Sequence, residues 1–241
     1  MDAAGEPAGG GAGRAVSGMT LVWDAPVRVA HWALAALVAG SWATHYAGTQ
    51  WFDWHRRLGC ATLVIVAFRI VWGFAGTRYA RFGSFVRRPR VILEYLRRGA
   101  CGDAAGHNPL GALSVLALLA LLLAQAATGL FANDEIAGAS PFYGWTTHEL
   151  SNRISSLHRM NSKWLLAFVG LHLVAVAWHS RVRRQPLVRA MLTGRRDARD
   201  MPAGSGIDDS RTVRAIVIIA VLASALALAI RAAPEAAVPL F

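Results

Sequence analysis

Five apolar runs, each close to the length a helix needs to cross a bilayer, limit this chain to one kind of fold. They occupy residues 29–46, 58–76, 110–131, 157–179 and 213–230. A hydrocarbon core of roughly 30 Å takes about 20 helical residues. No water reaches the peptide groups there, so each spanning segment must bond its own backbone, as helices do. With 55% hydrophobic and 16% charged residues among 241, and a mean hydropathy of +0.38, the chain falls in the polytopic membrane class. The expected fold is all-α: a polytopic membrane four-helix bundle with one additional C-terminal transmembrane helix. Arg69 makes the second run the least clean of the five.

The net charge of +11 does not point to nucleic acid. The arginines alternate with long apolar segments instead of forming a basic groove with aromatic stacking platforms. They do set an orientation. Arg78, Arg81, Arg87, Arg88, Arg90, Arg97 and Arg98 separate the second and third runs, and Arg181, Arg183, Arg184, Arg189, Arg195, Arg196 and Arg199 follow the fourth. Both loops are expected on the cytoplasmic side of the membrane, with the N-terminus inside. The loop over 132–156 carries Asp134, Glu135 and Glu149 with one arginine, and Trp51, Phe52 and Trp54 lie in the first loop at interface depth. Both are expected outside, as is the tail 232–241.

Residues 1–18 are rich in Gly and Ala and are expected to form a disordered tail. The run that follows is longer than a signal-peptide core and carries a histidine and two tryptophans, so no cleavage is expected. The expected units are this tail, a four-helix unit over 19–196, a linker over 197–211, the extra helix over 212–231 and the external tail. Cys60 and Cys101 lie on different segments and no CxxCH occurs, so neither a disulfide framework nor covalent haem attachment is indicated.

Histidines carry the chemistry. His158 and His172 are fourteen residues apart in the fourth run, almost four turns, so both rings leave one helix face about 21 Å apart along the axis. Neutral imidazole buried in hydrocarbon without a partner costs several kcal/mol, and coordination to iron satisfies one nitrogen. Successive helices run in opposite directions, which puts His31 at the inner depth of His172 and His55 at the outer depth of His158. Two bis-histidine haems, one near each face, follow from spacing and orientation together. His45 competes with His55, since it follows His31 by the same fourteen residues. Arg69 lies fourteen residues after His55, at the inner level, where it either pairs with a haem propionate or snorkels to the interface. His179 adjoins the membrane edge, and a propionate contact or snorkelling is expected there. His107 and His148 are expected to be solvated. Gly40, Gly59, Gly111, Gly129 and Gly170 either admit a porphyrin or serve helix packing.

The segments VWDAPVRVAHW, WHRRLG, FRIVWGFAGTRYARF, GHNPLGAL and LHRMNSKWLLAFVGLHLVAVAWHSRVRR resemble the bacterial cytochrome b561 group, which includes the cytochrome b subunits of NiFe-hydrogenases. The resemblance runs over roughly residues 21–196. It implies a four-helix bundle holding two haem b groups, His31 with His172 and His55 with His158, that passes electrons between a partner protein and the quinone pool. The HxxxG pattern of His55 and Gly59 favours His55 over His45. The resemblance also implies a redox partner such as a hydrogenase, a dehydrogenase or a c-type cytochrome, and leaves a homodimer open. The fifth helix is not part of that core.

Two rival readings stand beside it. A histidine-based metal or proton transporter would gather histidines at one site with carboxylate or thiolate help. A membrane anchor subunit would keep the helices and lose the haems.

Overall fold

The computed structural model describes residues 18–86, 88–98, 109–134, 138–198 and 206–234. The expectations for Arg87, Cys101, His107, Glu135, Arg199, most of the first tail, part of the linker and the end of the last tail lie outside the described residues.

Strand β1 (Met19–Leu21) leads into helix α1 (Ala25–Tyr46). Asp24 caps α1, its carboxylate accepting from Val27 N at 2.7 Å, and Pro26 sits in the first turn. A single 3-10 turn at Thr49–Trp51 separates α1 from α2 (Phe52–Ala75). So short a connection makes α1 and α2 antiparallel neighbours, and Phe52 and Trp54, expected in a loop, belong to the first turn of α2. Arg69 does not break α2, which is continuous. The arginine-rich connection holds two further helices, α3 (Phe82–Phe85) and the amphipathic α4 (Pro89–Arg98). Then come α5 (Pro109–Phe131), a small hairpin of β2 (Asn133–Asp134) and β3 (Gly138–Ala139), and α6 (His148–Arg181). The chain ends with α7 (Leu187–Thr193), β4 (Arg195–Asp197) and α8 (Thr212–Ala232).

Among the described residues, four helical stretches are long and apolar enough to cross a membrane: Thr49–Ala75, Pro109–Phe131, His148–Arg181 and Thr212–Ala232. The first expected span, α1, has 22 residues and so reaches about 33 Å, but Arg28, His31, Thr44 and His45 dilute its apolar character. It nevertheless stands alongside α2 as part of the bundle. Helix α6 is longer than expected. It starts at His148, where Thr147 accepts from Leu150 N and the Glu149–Arg153 ion pair at 2.6 Å supports a polar first turn. These features extend the helix out of the apolar run that marked its expected start.

Helix α2 packs on α1, on α5 and on α8, and α5 packs on α6. Helix α6 also faces α1 and α2, where paired histidine rings meet. One core cluster, of Val66, Leu119, Leu122 and Leu165, lies between α2, α5 and α6. A second joins Val22, Trp23 and Val27 to Phe68 and Trp72, with Ala190 of α7 and Ala215 of α8. Asp24 is at its centre, 1% exposed, bonded by Trp72 Nε1 at 3.2 Å and by the Thr77 hydroxyl. Strand β1 pairs antiparallel with β4, Met19 opposite Asp197 and Leu21 opposite Arg195. Gly194, at φ +78°, lets its carbonyl accept from Val22 N and Trp23 N. On the outside, Leu171, Leu173 and Val174 of α6 are more than 60% exposed, and Val213, Ile216 and Val221 of α8 likewise. Apolar surface of that extent has lipid as its natural solvent.

Candidate haem sites

The fourteen-residue spacing on α6 gives each of its histidines a different partner. His172 faces His31 of α1, with ring centres 6.3 Å apart and planes tilted by 58°. His158 faces His55 of α2, with ring centres also 6.3 Å apart and planes at 85°. An imidazole nitrogen sits about 2 Å from a bound metal, so two rings gripping one ion from opposite sides have centres roughly 6 Å apart. Both pairs therefore have the separation that axial coordination of one iron requires, and the donor set suits haem b.

Hydrogen bonds orient the outer pair. His55 Nδ1 lies 2.8 Å from the Ser41 carbonyl. With its proton there, Nε2 keeps its lone pair. His158 Nδ1 lies 3.0 Å from the Gln125 carbonyl and 3.1 Å from the Thr128 hydroxyl. Its Nε2 is 3.0 Å from the Gln125 side-chain amide, whose oxygen in turn accepts from Asn161 Nδ2 at 2.6 Å. A carbonyl on Nδ1 fixes the tautomer whose Nε2 carries the lone pair; on His158 the Gln125 amide donates to that nitrogen, so the amide would have to turn away before a metal could bind there. Gln125, Thr128 and Asn161 were not among the residues expected from the sequence. Their signal was the presence of two amides and a hydroxyl in or beside otherwise apolar runs.

A cavity of about 370 Å³ opens beside this pair, lined by His45, His55 and His158 together with Gly59, Gly129 and Cys60. His45 is close enough to compete, its ring centre 6.0 Å from that of His55. Gly129 is needed for a specific reason. A Cβ there would stand 3.0 Å from His158 Cε1 and 3.4 Å from its Nδ1. Gly59 and Gly170 face open space, with nothing within 4 Å of an added Cβ, and Gly40 packs on Leu58.

Arg69 is 7% exposed. Its guanidinium donates to the Ala80 carbonyl at 3.2 Å and lies 5.6 Å above the Phe82 ring, so it ties α2 to the segment that follows it. His179 Nδ1 is 2.9 Å from the Ala175 carbonyl, one turn back on its own helix. His148 is exposed, between Tyr143 and Asn152. No cluster of three or more His, Cys, Asp or Glu side chains arranged to hold a metal ion occurs among the described residues.

A family model described as prokaryotic cytochrome b561 matches residues 22–194. This chain belongs to that family. Two relatives resemble it along most of their length, both named probable Ni/Fe-hydrogenase B-type cytochrome subunits. The protein from Bradyrhizobium diazoefficiens is 26% identical, over 78% of this chain and 90% of its own. The one from Rhizobium leguminosarum bv. viciae is 25% identical, over 74% of this chain and 89% of its own. No solved structure matches. The cytochrome is thus a multi-pass bacterial membrane protein of the b type, whose cofactor is haem b and whose activity is electron transfer. The matched region starts just after β1 and ends just before β4, and α8 lies beyond it.

Proposed function

We propose that this cytochrome holds two haem b groups, an inner one between His31 and His172 and an outer one between His55 and His158, and relays electrons across the bilayer between a redox partner and the quinone pool. The observation that carries the reading is the recurrence, at two levels of α6, of one ring-to-ring separation of 6.3 Å. Bound haem supplies a one-electron ferric/ferrous couple. The chain's own residues do the rest. Each histidine pair would hold its haem through two imidazole nitrogens, which favours electron transfer over oxygen chemistry. The Ser41 and Gln125 carbonyls hold the outer rings in place and so limit the reorganisation that accompanies each change of charge.

The arginine distribution supports a cytoplasmic N-terminus, and we place a hydrogenase-type partner at the outer face. The names of both relatives support a hydrogenase over a dehydrogenase or a soluble cytochrome. Moving one charge across the membrane potential is worth about 2.3 kcal/mol per 100 mV, so electron flow between the two levels would respond to that potential. The di-haem unit is taken as residues 19–196. The test is a reduced-minus-oxidised spectrum of the purified full chain with pyridine haemochrome quantitation. Two b-haems per chain are expected, and a chain with none would end the proposal.

A further inference from the structure

Twenty-five residues of this chain are Lys or Arg, and a single one of them, Lys163, is a lysine. It is placed within α6 between His158 and His172, and it lines the cavity beside the outer histidine pair. A cation inside a membrane span is costly and needs a partner. The other two cations on the cavity wall already have theirs. Arg56 is bonded to Asp53 at 2.7 Å and to the Ala139 carbonyl at 3.0 Å, and Arg159 donates to the Ser156 hydroxyl at 3.0 Å. Among the described residues Lys163 has neither an ion pair nor a hydrogen bond from its ammonium group. A compact ammonium with three free donors, at the edge of a cavity that already holds the two axial ligands, is suited to a carboxylate carried by whatever fills that cavity.

Resting on the di-haem reading above, we propose that Lys163 anchors a propionate of the outer haem. Lys163 lies five residues beyond His158, about 7.5 Å further along the helix axis and about 140° around it, and it is exposed at the rim of the cavity, from where its long stem can reach back to the level of the outer pair. Its positive charge then favours the ferrous form of the outer haem. Lysine also explains the departure from arginine: a point charge on a flexible stem can reach a single carboxylate oxygen at the cavity edge without the space a planar fork needs.

The experiment is a potentiometric titration of the purified full chain, wild type, Lys163→Gln, Lys163→Arg and Arg153→Gln, followed in the haem α-band. The outer component is the one that disappears in His158→Ala. In Lys163→Gln its ferrous-to-ferric ratio at fixed ambient potential is expected to fall about tenfold, a shift of about 59 mV for a one-electron couple, while the inner component moves much less. Lys163→Arg should restore most of the shift. Arg153→Gln, which removes an exposed charge from the same helix, should leave both components in place. Selective loss of the outer haem from Lys163→Gln with retention in Lys163→Arg would also support the anchor. Potentials in Lys163→Gln that superimpose on wild type overturn it, as does an equal shift in Arg153→Gln or loss of the haem from both Lys163 variants. These failures leave the di-haem reading standing, whereas a wild-type chain without haem removes that reading first.

Discussion

Gly129→Ala isolates the fit of one ring from everything else in the bundle. The added methyl would sit 3.0 Å from His158 Cε1, tighter than ordinary contact, so either the ring or α5 must yield by a few tenths of an ångström. The ring cannot move freely, because its Nδ1 is held 3.0 Å from the Gln125 carbonyl and 3.1 Å from the Thr128 hydroxyl. Overpacking of this kind costs about 1–3 kcal/mol, and loosening a hydrogen bond adds about 1 kcal/mol. Together these come to roughly 2–4 kcal/mol against the liganding position of His158, which is about a 30-fold to nearly 1,000-fold loss of outer-haem affinity at 1.4 kcal/mol per decade. The assay is haem per chain after purification, followed by the rate of haem transfer to an excess of apomyoglobin. One of two haems should be lost or released fast. Gly170→Ala is the matched control, since nothing lies within 4 Å of its added methyl and alanine gains about 1 kcal/mol over glycine in a helix. If Gly129→Ala holds both haems at the wild-type rate, or Gly170→Ala loses as much, the steric reasoning is wrong.

Three further outcomes are expected. His55→Ala should leave one haem per chain and His45→Ala two; the opposite pattern would make His45 the outer ligand, and His172→Ala should remove the inner haem only. Asp24→Ala deletes the α1 cap and strands Trp72 and Thr77 in the core, which should cost about 2–4 kcal/mol and lower the unfolding midpoint in detergent; an unchanged midpoint would show that the cluster carries no stability. Arg69→Met leaves the Ala80 carbonyl without its donor at a cost of about 1–3 kcal/mol, with the inner-haem midpoint unchanged, whereas a tenfold shift in that haem's redox ratio would assign Arg69 to a propionate instead.

The long helices and the pairing of histidines were readable in the chain because both depend on periodicity. A fourteen-residue interval returns a side chain to the same face whatever surrounds it, so His158 and His172 announced two levels, and helix direction supplied their partners. The residues that orient those rings were harder to read. Gln125 and Thr128 sit in a run so apolar that the whole segment reads as lipid-facing, and their value lies in contacts 30 or more residues away. The start of α6 is not legible in hydropathy because its first two turns are polar and stabilised by Thr147 and the Glu149–Arg153 pair. Arg69 was read by depth alone, and depth could not reveal that the chain turns back after α2 to offer it the carbonyl of Ala80. The amphipathic α4 is too short and too arginine-rich to stand out from the loop that contains it.

The antiparallel clasp of β1 with β4 fixes an order of events. Its two halves are separated by the entire matched region, so residues 195–197 must be synthesised, and four helices threaded through the membrane, before Met19–Leu21 can find its mate. Until then the tie between the start of α1 and the segment after α6 is incomplete, resting on Arg28 to the Leu192 carbonyl and on Val22 and Trp23 to the Gly194 carbonyl. The latch therefore forms only after the helices it encloses have been made, and it holds together the two ends of the matched region.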